Sequence, residues 1–404
     1  MSRPAVPGAV PAVLGAAPAV LGGAPAFPDG LPLVRPSLPD VPALARRIEA
    51  VLDSGMLTNG RTVRELEETA ATYLGVGHVV AVASCTTGLL LVLQAAGVSG
   101  RVVLPSFTFA ATAHVVHWVG ATPSFADVHA RTLTLDPADA AARLDGAEAM
   151  VATHLYGTPA HVEALEELAT STGALLVYDA AHALDSRRRG RPVGGFGNAE
   201  VFSLSPTKVV VAGEGGLVAT DDGALAEACR IGRDYGNPGD YDCLFPGLNA
   251  RMSELHAAVA IASLRGLDDR VARRGELVAR FRRGVEGLPG IGFPEVEAGD
   301  TSTFKDMALL VDPEALGLTV PQLAASLRAE GVDSRRYYWP PVHRQKAYAH
   351  LPAPDPPLPV TDRVAERVLC PPLWSHMTDE QIDRLAGAVG RICEHAPAVR
   401  EALG

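Results

Sequence analysis

Lysine is nearly missing from this sequence. Of 35 basic residues only Lys208, Lys305 and Lys346 are lysine, so chemistry that needs a primary amine has three candidates. Cysteine is sparse too. Cys85, Cys229, Cys243, Cys370 and Cys393 are scattered, odd in number and without CxxC spacing. That argues against a disulfide framework or a zinc site and for a reducing compartment. Positive charge is in deficit. A net charge of -11 argues against a nucleic-acid groove, though not against a small basic pocket for phosphate. Long apolar runs are lacking as well. Residues 4–28 carry no charge, but Pro4, Pro7, Pro11, Pro18 and Pro25 interrupt them. Neither a signal segment nor a membrane span is read there. The expectation is a soluble, cytoplasmic chain with no membrane or nucleic-acid partner.

What is present is enough for two packed domains: 404 residues, 48% of them apolar. Residues 1–40 are rich in Ala, Pro and Gly, and PAVLG occurs twice, at 11–15 and 18–22. Proline is tolerated only in the first turn of a helix, so this segment reads as a flexible or extended arm. Residues 41–289 read as a large domain. An amphipathic helix is expected over 62–75. Apolar strands follow at 78–84, 101–105, 122–127, 149–155, 174–180, 199–204 and 216–220. Helices are expected between them at 86–98, 109–118, 160–172 and 224–232. Nearly unbroken apolar strands alternating with helices indicate an α/β fold with a mostly parallel sheet covered on both faces. Functional residues in such sheets gather at the carboxyl ends of the strands. Two longer helices are expected at about 252–265 and 268–288, the second spanning the surface between domains. Residues 290–404 read as a smaller α+β domain, with strand-like 304–311 and 333–338 and helices at 320–330 and 378–392.

The chemistry concentrates in one order of residues: Asp179, His182, Ser203, Lys208, then Gly213-Glu214-Gly215-Gly216. Asp179 closes the apolar run ALLVYD. A carboxylate there is costly to bury without a cationic partner, and a protonated pyridine nitrogen is one. The alternative is an Asp that caps a following helix. Lys208 is followed by Val209, Val210 and Val211. Apolar surroundings disfavour the ammonium form, which turns a lysine into a usable amine nucleophile. The alternative is a lysine in a surface loop. Ser84-Cys85-Thr86-Thr87-Gly88 ends a strand and starts a helix, which suits either a phosphate cradle or a plain helix cap. Phe109 follows the next strand and suits either a flat ring to stack on or a place in the core.

These stretches resemble the DegT/StrS family of nucleotide-sugar aminotransferases. The matching pieces are SCTTG (84–88), LPSFTFAATAHVV (104–116), GATPSFADV (120–128), THLYGTP (153–159), YDAAHALDS (178–186), FSLSPTKVVVAGEGG (202–216), GLNARMSELHAA (247–258) and PPVHRQKAY (340–348). The resemblance implies a fold-type I pyridoxal-phosphate transferase. It implies that Lys208 forms a Schiff base with pyridoxal phosphate and that Asp179 binds the pyridine nitrogen. His182 would lie near the cofactor's 3-hydroxyl, and Phe109 would stack on the ring. Cys85, Thr86 and Ser203 would hold the phosphate. Asn249 and Arg251 would reach the site from a neighbouring subunit, making a homodimer with shared sites, and His343 would lie near the sugar. The reaction implied moves an amino group from an amino acid, Glu or Gln, to a keto-sugar on a nucleoside diphosphate, by way of pyridoxamine phosphate. A cyclitol or other ketone as acceptor stays open. A sugar dehydratase of the same fold is disfavoured, because that branch carries His where Lys208 stands. A non-catalytic regulatory relative is a further alternative. One departure is Cys85-Thr86 where the family has a Gly-Thr pair, and the proline-rich arm has no matching family segment.

Overall fold

The computed structural model describes residues 17–404. Helices α1 (Val41–Ser54) and α2 (Arg61–Leu74) lead into β1 (His78–Val82). Then come α3 (Cys85–Ala95), β2 (Arg101–Pro105), α4 (Ala110–Trp118) and β3 (Thr122–Ala126). The chain continues through α5 (Pro137–Arg143), β4 (Ala147–Thr153), α6 (Val162–Thr172) and β5 (Leu175–Asp179). A short hairpin, β6 (Arg187–Arg188) and β7 (Arg191–Pro192), precedes β8 (Ala199–Ser203) and β9 (Gly216–Thr220). Seven strands make one sheet in the order β1-β9-β8-β5-β4-β2-β3. Only β9 runs against its neighbours.

Both faces of this sheet are buried, and the period-2 geometry of a strand divides its side chains between two cores. In β1, Val79 and Ala81 enter one core while Val80 and Val82 enter the other. In β5, Leu176 and Tyr178 enter the first and Val177 the second. Asp179 therefore follows Val177 toward the second core, the side on which Cys85 of α3 packs. Each expected strand of this sheet is present within two or three residues of its expected ends.

Helices α7 (Gly223–Gly232), α8 (Glu254–Leu264) and α9 (Leu267–Gly284) complete this part. α9 joins the two cores of the molecule. Leu267 and Val271 pack with the large sheet, whereas Leu277, Val278 and Phe281 pack with the C-terminal core. That core lies around an antiparallel sheet of β10 (Ile291–Gly292), β11 (Leu309–Val311) and, later in the chain, β12 (Val368–Leu369). Its helices are α10 (Pro313–Leu316), α11 (Val320–Ala329), α12 (Pro359–Arg367), α13 (Asp379–Glu394) and α14 (Ala396–Leu403). No helix among the described residues is long and apolar enough to cross a membrane.

Three expectations differ from the structure. Residues 304–311 form a strand only at Leu309–Val311. The buried Arg274 guanidinium donates to the carbonyls of Thr303, Phe304, Lys305 and Leu373, so the acceptors a ladder would use are already engaged. Residues 333–338 contribute a single bridge, Arg335 to Cys370. Within the segment expected to belong wholly to the smaller domain, Val342, Tyr348 and Leu358 pack back into the core of the large sheet.

The arm differs as well. Residues 1–16, with the first PAVLG, lie outside the described residues. Over residues 17–33 the chain is docked on the C-terminal core, not loose. Phe27 and Leu31 are buried in it. The fully buried Glu330 carboxylate accepts from the amides of Ala19 (2.9 Å) and Ala26 (2.7 Å) and pairs with Arg391 (2.7 Å). Leu31 then bridges to Val332. An extended, proline-rich backbone suits this, since its free amides are the donors a buried carboxylate needs. Phe27→Ala should cost about 3 kcal/mol in urea unfolding. A loose arm would make that change neutral.

Candidate active site

β5 delivers Asp179 to the carboxyl edge of the sheet, 5% exposed. Its carboxylate accepts from Thr112 Oγ1 at 2.7 Å and from the Ala181 amide at 3.1 Å. The Cys85 thiol lies 3.9 Å away. Thr112 in turn contacts Thr108 (3.0 Å), and Thr108 contacts Thr153 (3.1 Å), so a chain of hydroxyls holds the carboxylate. No helix starts at Asp179, which removes the capping alternative. All its hydrogen-bond donors are neutral.

Lys208 lies in the turn after β8, its amide bonded to the Ser205 carbonyl at 3.0 Å. Val209, Val210 and Val211 anchor the turn in the interior. Lys208 itself is half-buried. Burial, and then the charge of Lys305, bring its pKa from an ordinary 10.5 down to about 8, against the opposing pull of Asp306, Cys85 and Asp179. A surface loop would do none of this.

His182 is buried next to these groups. Its Nδ1 accepts from the Tyr156 amide at 3.2 Å, which leaves Nε2 to carry the hydrogen of a neutral ring. Burial, Lys208 and Lys305 all push its pKa well below the ordinary value, so the ring stays neutral. Tyr156 holds a left-handed backbone (φ 56°), and Gly157 follows at φ 92°. A Cβ on Gly157 would lie 2.0 Å from Thr303 Oγ1, so only glycine fits between β4 and the 302–306 segment.

The start of α3 has the free backbone donors that the expected phosphate cradle needs. Ser84 Oγ accepts from the Thr87 amide at 3.1 Å in a capping box. The amides of Cys85 and Thr86 have no acceptor within the helix and point out of its positive end. Gly216 pairs with Ser203 across β8 and β9. It presses so closely on this turn that a Cβ would lie 2.5 Å from the Cys85 amide nitrogen. Ser203 is thereby carried alongside the cradle. The Cys85 thiol faces inward, 3.4 Å from the Val201 carbonyl, so its amide alone faces the cradle. Phe109 caps α4 with 58% of its surface open, its ring centroid 6.1 Å from that of Tyr338. It is a cleft wall, not core.

Three expected residues have their visible partners elsewhere. Arg251 pairs with Asp234 and lies 5.2 Å over the Tyr235 ring. Asn249 forms a backbone bridge with Asp234 and is exposed. His343 is held by Ser106 Oγ at 2.6 Å on Nδ1 and lies 3.3 Å from Asp362 on Nε2. The residues not anticipated are Thr112, Tyr156, Tyr338 and the Lys305–Asp306 pair. Lys305 had one signal, the scarcity of lysine. A cavity of about 660 Å³ between Asp185, Asp268, Glu297 and Phe304 includes neither Lys208 nor Asp179.

Most of the chain resembles known proteins. Residues 41–390 match the DegT/DnrJ/EryC1/StrS aminotransferase family. The chain is 36% identical over 351 residues to a dTDP-3-amino-3,4,6-trideoxy-alpha-D-glucose transaminase of Streptomyces venezuelae, covering 85% of this chain and 90% of that one. It is 37% identical over 350 residues to the erythromycin biosynthesis sensory transduction protein EryC1 of Saccharopolyspora erythraea, covering 86% and 93%. Among solved structures, DesI in the presence of its TDP-sugar product superposes with a TM-score of 0.88 at 38% identity, covering 95% of this chain and 97% of that one.

Two outcomes follow from the geometry. Gly216→Ala should weaken pyridoxal-phosphate binding at least tenfold in a fluorescence titration, because the new methyl group displaces the Cys85 amide. In cofactor-free protein the folded state loses the Lys208 proton near pH 8 and the unfolded chain near 10.5. Between those values the unfolded state binds more protons, so this residue's contribution to stability rises with pH. Lys208→Met should remove that rise in thermal unfolding scans from pH 7 to 10.5.

Proposed function

The chain belongs to the DegT/DnrJ/EryC1/StrS aminotransferase family, and we propose that it moves an amino group from glutamate or glutamine to the ketone of a nucleoside-diphosphate-linked sugar. The observation that carries this reading is that the parallel neighbours β5 and β8 bring the buried Asp179 and the turn bearing Lys208 to the same carboxyl edge of the sheet, where burial lowers the lysine's pKa to about 8. The names of the relatives, which act on or bind dTDP- and TDP-linked sugars, supply the acceptor class.

The residues fit pyridoxal phosphate. The amides of Cys85 and Thr86 with Ser203 suit its phosphate, Phe109 its ring face, His182 its ring oxygen and Asp179 its ring nitrogen. When bound, that cofactor supplies an aldehyde that exchanges amino groups and a ring that accepts electrons from the substrate carbon. Asp179 keeps the ring nitrogen protonated, since its own hydrogen bonds come from neutral donors and a cation completes them. Lys208 Nζ takes the proton from the α-carbon of the amino donor and, in the second half-reaction, delivers one to the former ketone carbon of the sugar. Its lowered pKa suits both directions near neutral pH. His182 stays neutral and donates through Nε2, adding no positive charge to the cleft. Asn249 and Arg251 are assigned to complete the site of a second copy in a homodimer. His343 is assigned to hold the 340s segment against Ser106; a contact with the sugar would require it to give up one of its present partners.

Lys208→Ala should abolish transamination and the long-wavelength absorbance of the bound cofactor. Asp179→Asn should lower kcat at least a hundredfold while the cofactor still binds. Full turnover in Lys208→Ala would sink the assignment. Amination of a cyclitol ketone, with no activity on any nucleotide keto-sugar in a panel, would overturn the acceptor class.

A further inference from the structure

His154 and Glu200 have no part in the reading above, and both are fully buried, each 0% exposed. His154 follows the last residue of β4, and its amide donates to the Asp179 carbonyl at 3.1 Å. Its Nε2 lies 2.8 Å from Oε1 of Glu200 on β8. Its Nδ1 accepts from the Ala160 amide at 2.9 Å. An imidazole that accepts at Nδ1 and stays neutral carries its hydrogen on Nε2, so His154 donates to Glu200. The ring lies flat on that of Tyr178, centroids 4.7 Å apart and planes 8° from parallel. Glu200 Oε2 accepts in addition from the Phe196 amide at 3.4 Å.

An apolar pair would fill this space at less cost, because burying polar side chains is expensive even when they are paired. What an apolar pair cannot do is accept the Ala160 amide. That bond closes the loop 154–160, between β4 and α6, on the ring of its own first residue. Tyr156 stands inside the loop in the left-handed region, at φ 56°. A residue with a side chain keeps that conformation only where its surroundings hold it. The loop in turn meets the segment that carries His182. The Tyr156 amide donates to His182 Nδ1 at 3.2 Å, and the Gly157 carbonyl accepts from Ser186 Oγ at 2.6 Å.

We propose that His154, oriented by Glu200, is a positioning residue for His182: by closing the 154–160 loop it holds the Tyr156 amide on His182 Nδ1 and so keeps that ring's hydrogen on Nε2. This rests on the reading of His182 as the neighbour of the cofactor's ring oxygen. His154 is fully buried and acts only through the loop. The tautomer of one imidazole is thereby passed to another through a fixed backbone. Glu200 selects Nε2–H on His154, His154 fixes the loop, and the loop's amide selects Nε2–H on His182.

The test uses full-length, cofactor-free protein and needs no turnover. The His182 tautomer is read from the ring nitrogen shifts of protein labelled with nitrogen-15 histidine, and hydrogen exchange of the Tyr156 amide is followed in the same samples. Removing His154 alone would strand a buried carboxylate, so the principal variant is H154L/E200L. In it the Tyr156 amide should exchange about tenfold faster, and His182 should become a mixture of both tautomers. E200Q, whose amide oxygen still accepts from His154 Nε2, should keep the wild-type tautomer and exchange rate. A160P, which removes only the amide that His154 accepts, should behave as the double variant does. A folded H154L/E200L with the wild-type tautomer and exchange rate overturns the proposal. If that variant does not fold, A160P decides, and wild-type behaviour there overturns it equally. Should Lys208→Ala retain turnover, the functional reading falls whatever tautomer His182 shows. An unchanged tautomer with Lys208→Ala inactive removes only the role of His154.

Discussion

A carboxylate buried with only neutral donors asks for a cation, and the cleft is arranged around that demand. Asp179 sits at the end of β5 with Thr112, the Ala181 amide and the Cys85 thiol about it. Lys208 is the nearby positive charge, and among the described residues Asp179 forms no ion pair. A protonated ring nitrogen would meet the demand. The hydroxyl chain through Thr108 and Thr153 holds the carboxylate in place. β5 can place the carboxylate so firmly because both its faces are packed, which leaves the strand no freedom to slip.

The same packing explains why most of the large sheet was legible in the sequence. Strands buried on two faces are apolar along their whole length, and glycine, proline or polar residues mark their ends. HVVAV and LLVYD announce themselves without reference to any partner. Asp179 and Lys208 stood out for a related reason. A charged residue at the end of an apolar run, and a lysine in a chain almost free of lysine, are both departures from local context.

The smaller part of the molecule was less legible, and particular residues show why. Nothing in STFKDMALLV indicates that Arg274 will engage the carbonyls of its first half and leave only Leu309–Val311 to pair as a strand. Nothing in PAVLGGAPAF indicates that two of its amides will meet Glu330. Residues 342–358 fold back onto the large sheet through Val342, Tyr348 and Leu358, although their neighbours in sequence belong to the other core.

By itself, then, the sequence determined the alternation of strands and helices, the carboxyl-edge position of Asp179 and the singularity of Lys208. These are properties of a local window: a period of two, a run length, a composition. Only the tertiary structure decided that Thr112 would hold Asp179, that the Tyr156 amide would fix the His182 ring, that residues 17–33 would dock instead of hanging free, and that the Lys305 amide would bond the Tyr156 carbonyl. Each of these joins segments distant in sequence, and each depends on a buried charge or hydrogen bond whose partner is known only once the two cores have closed on α9. The reactive amine was visible from the start. The burial that lowers its pKa comes only with the folded chain.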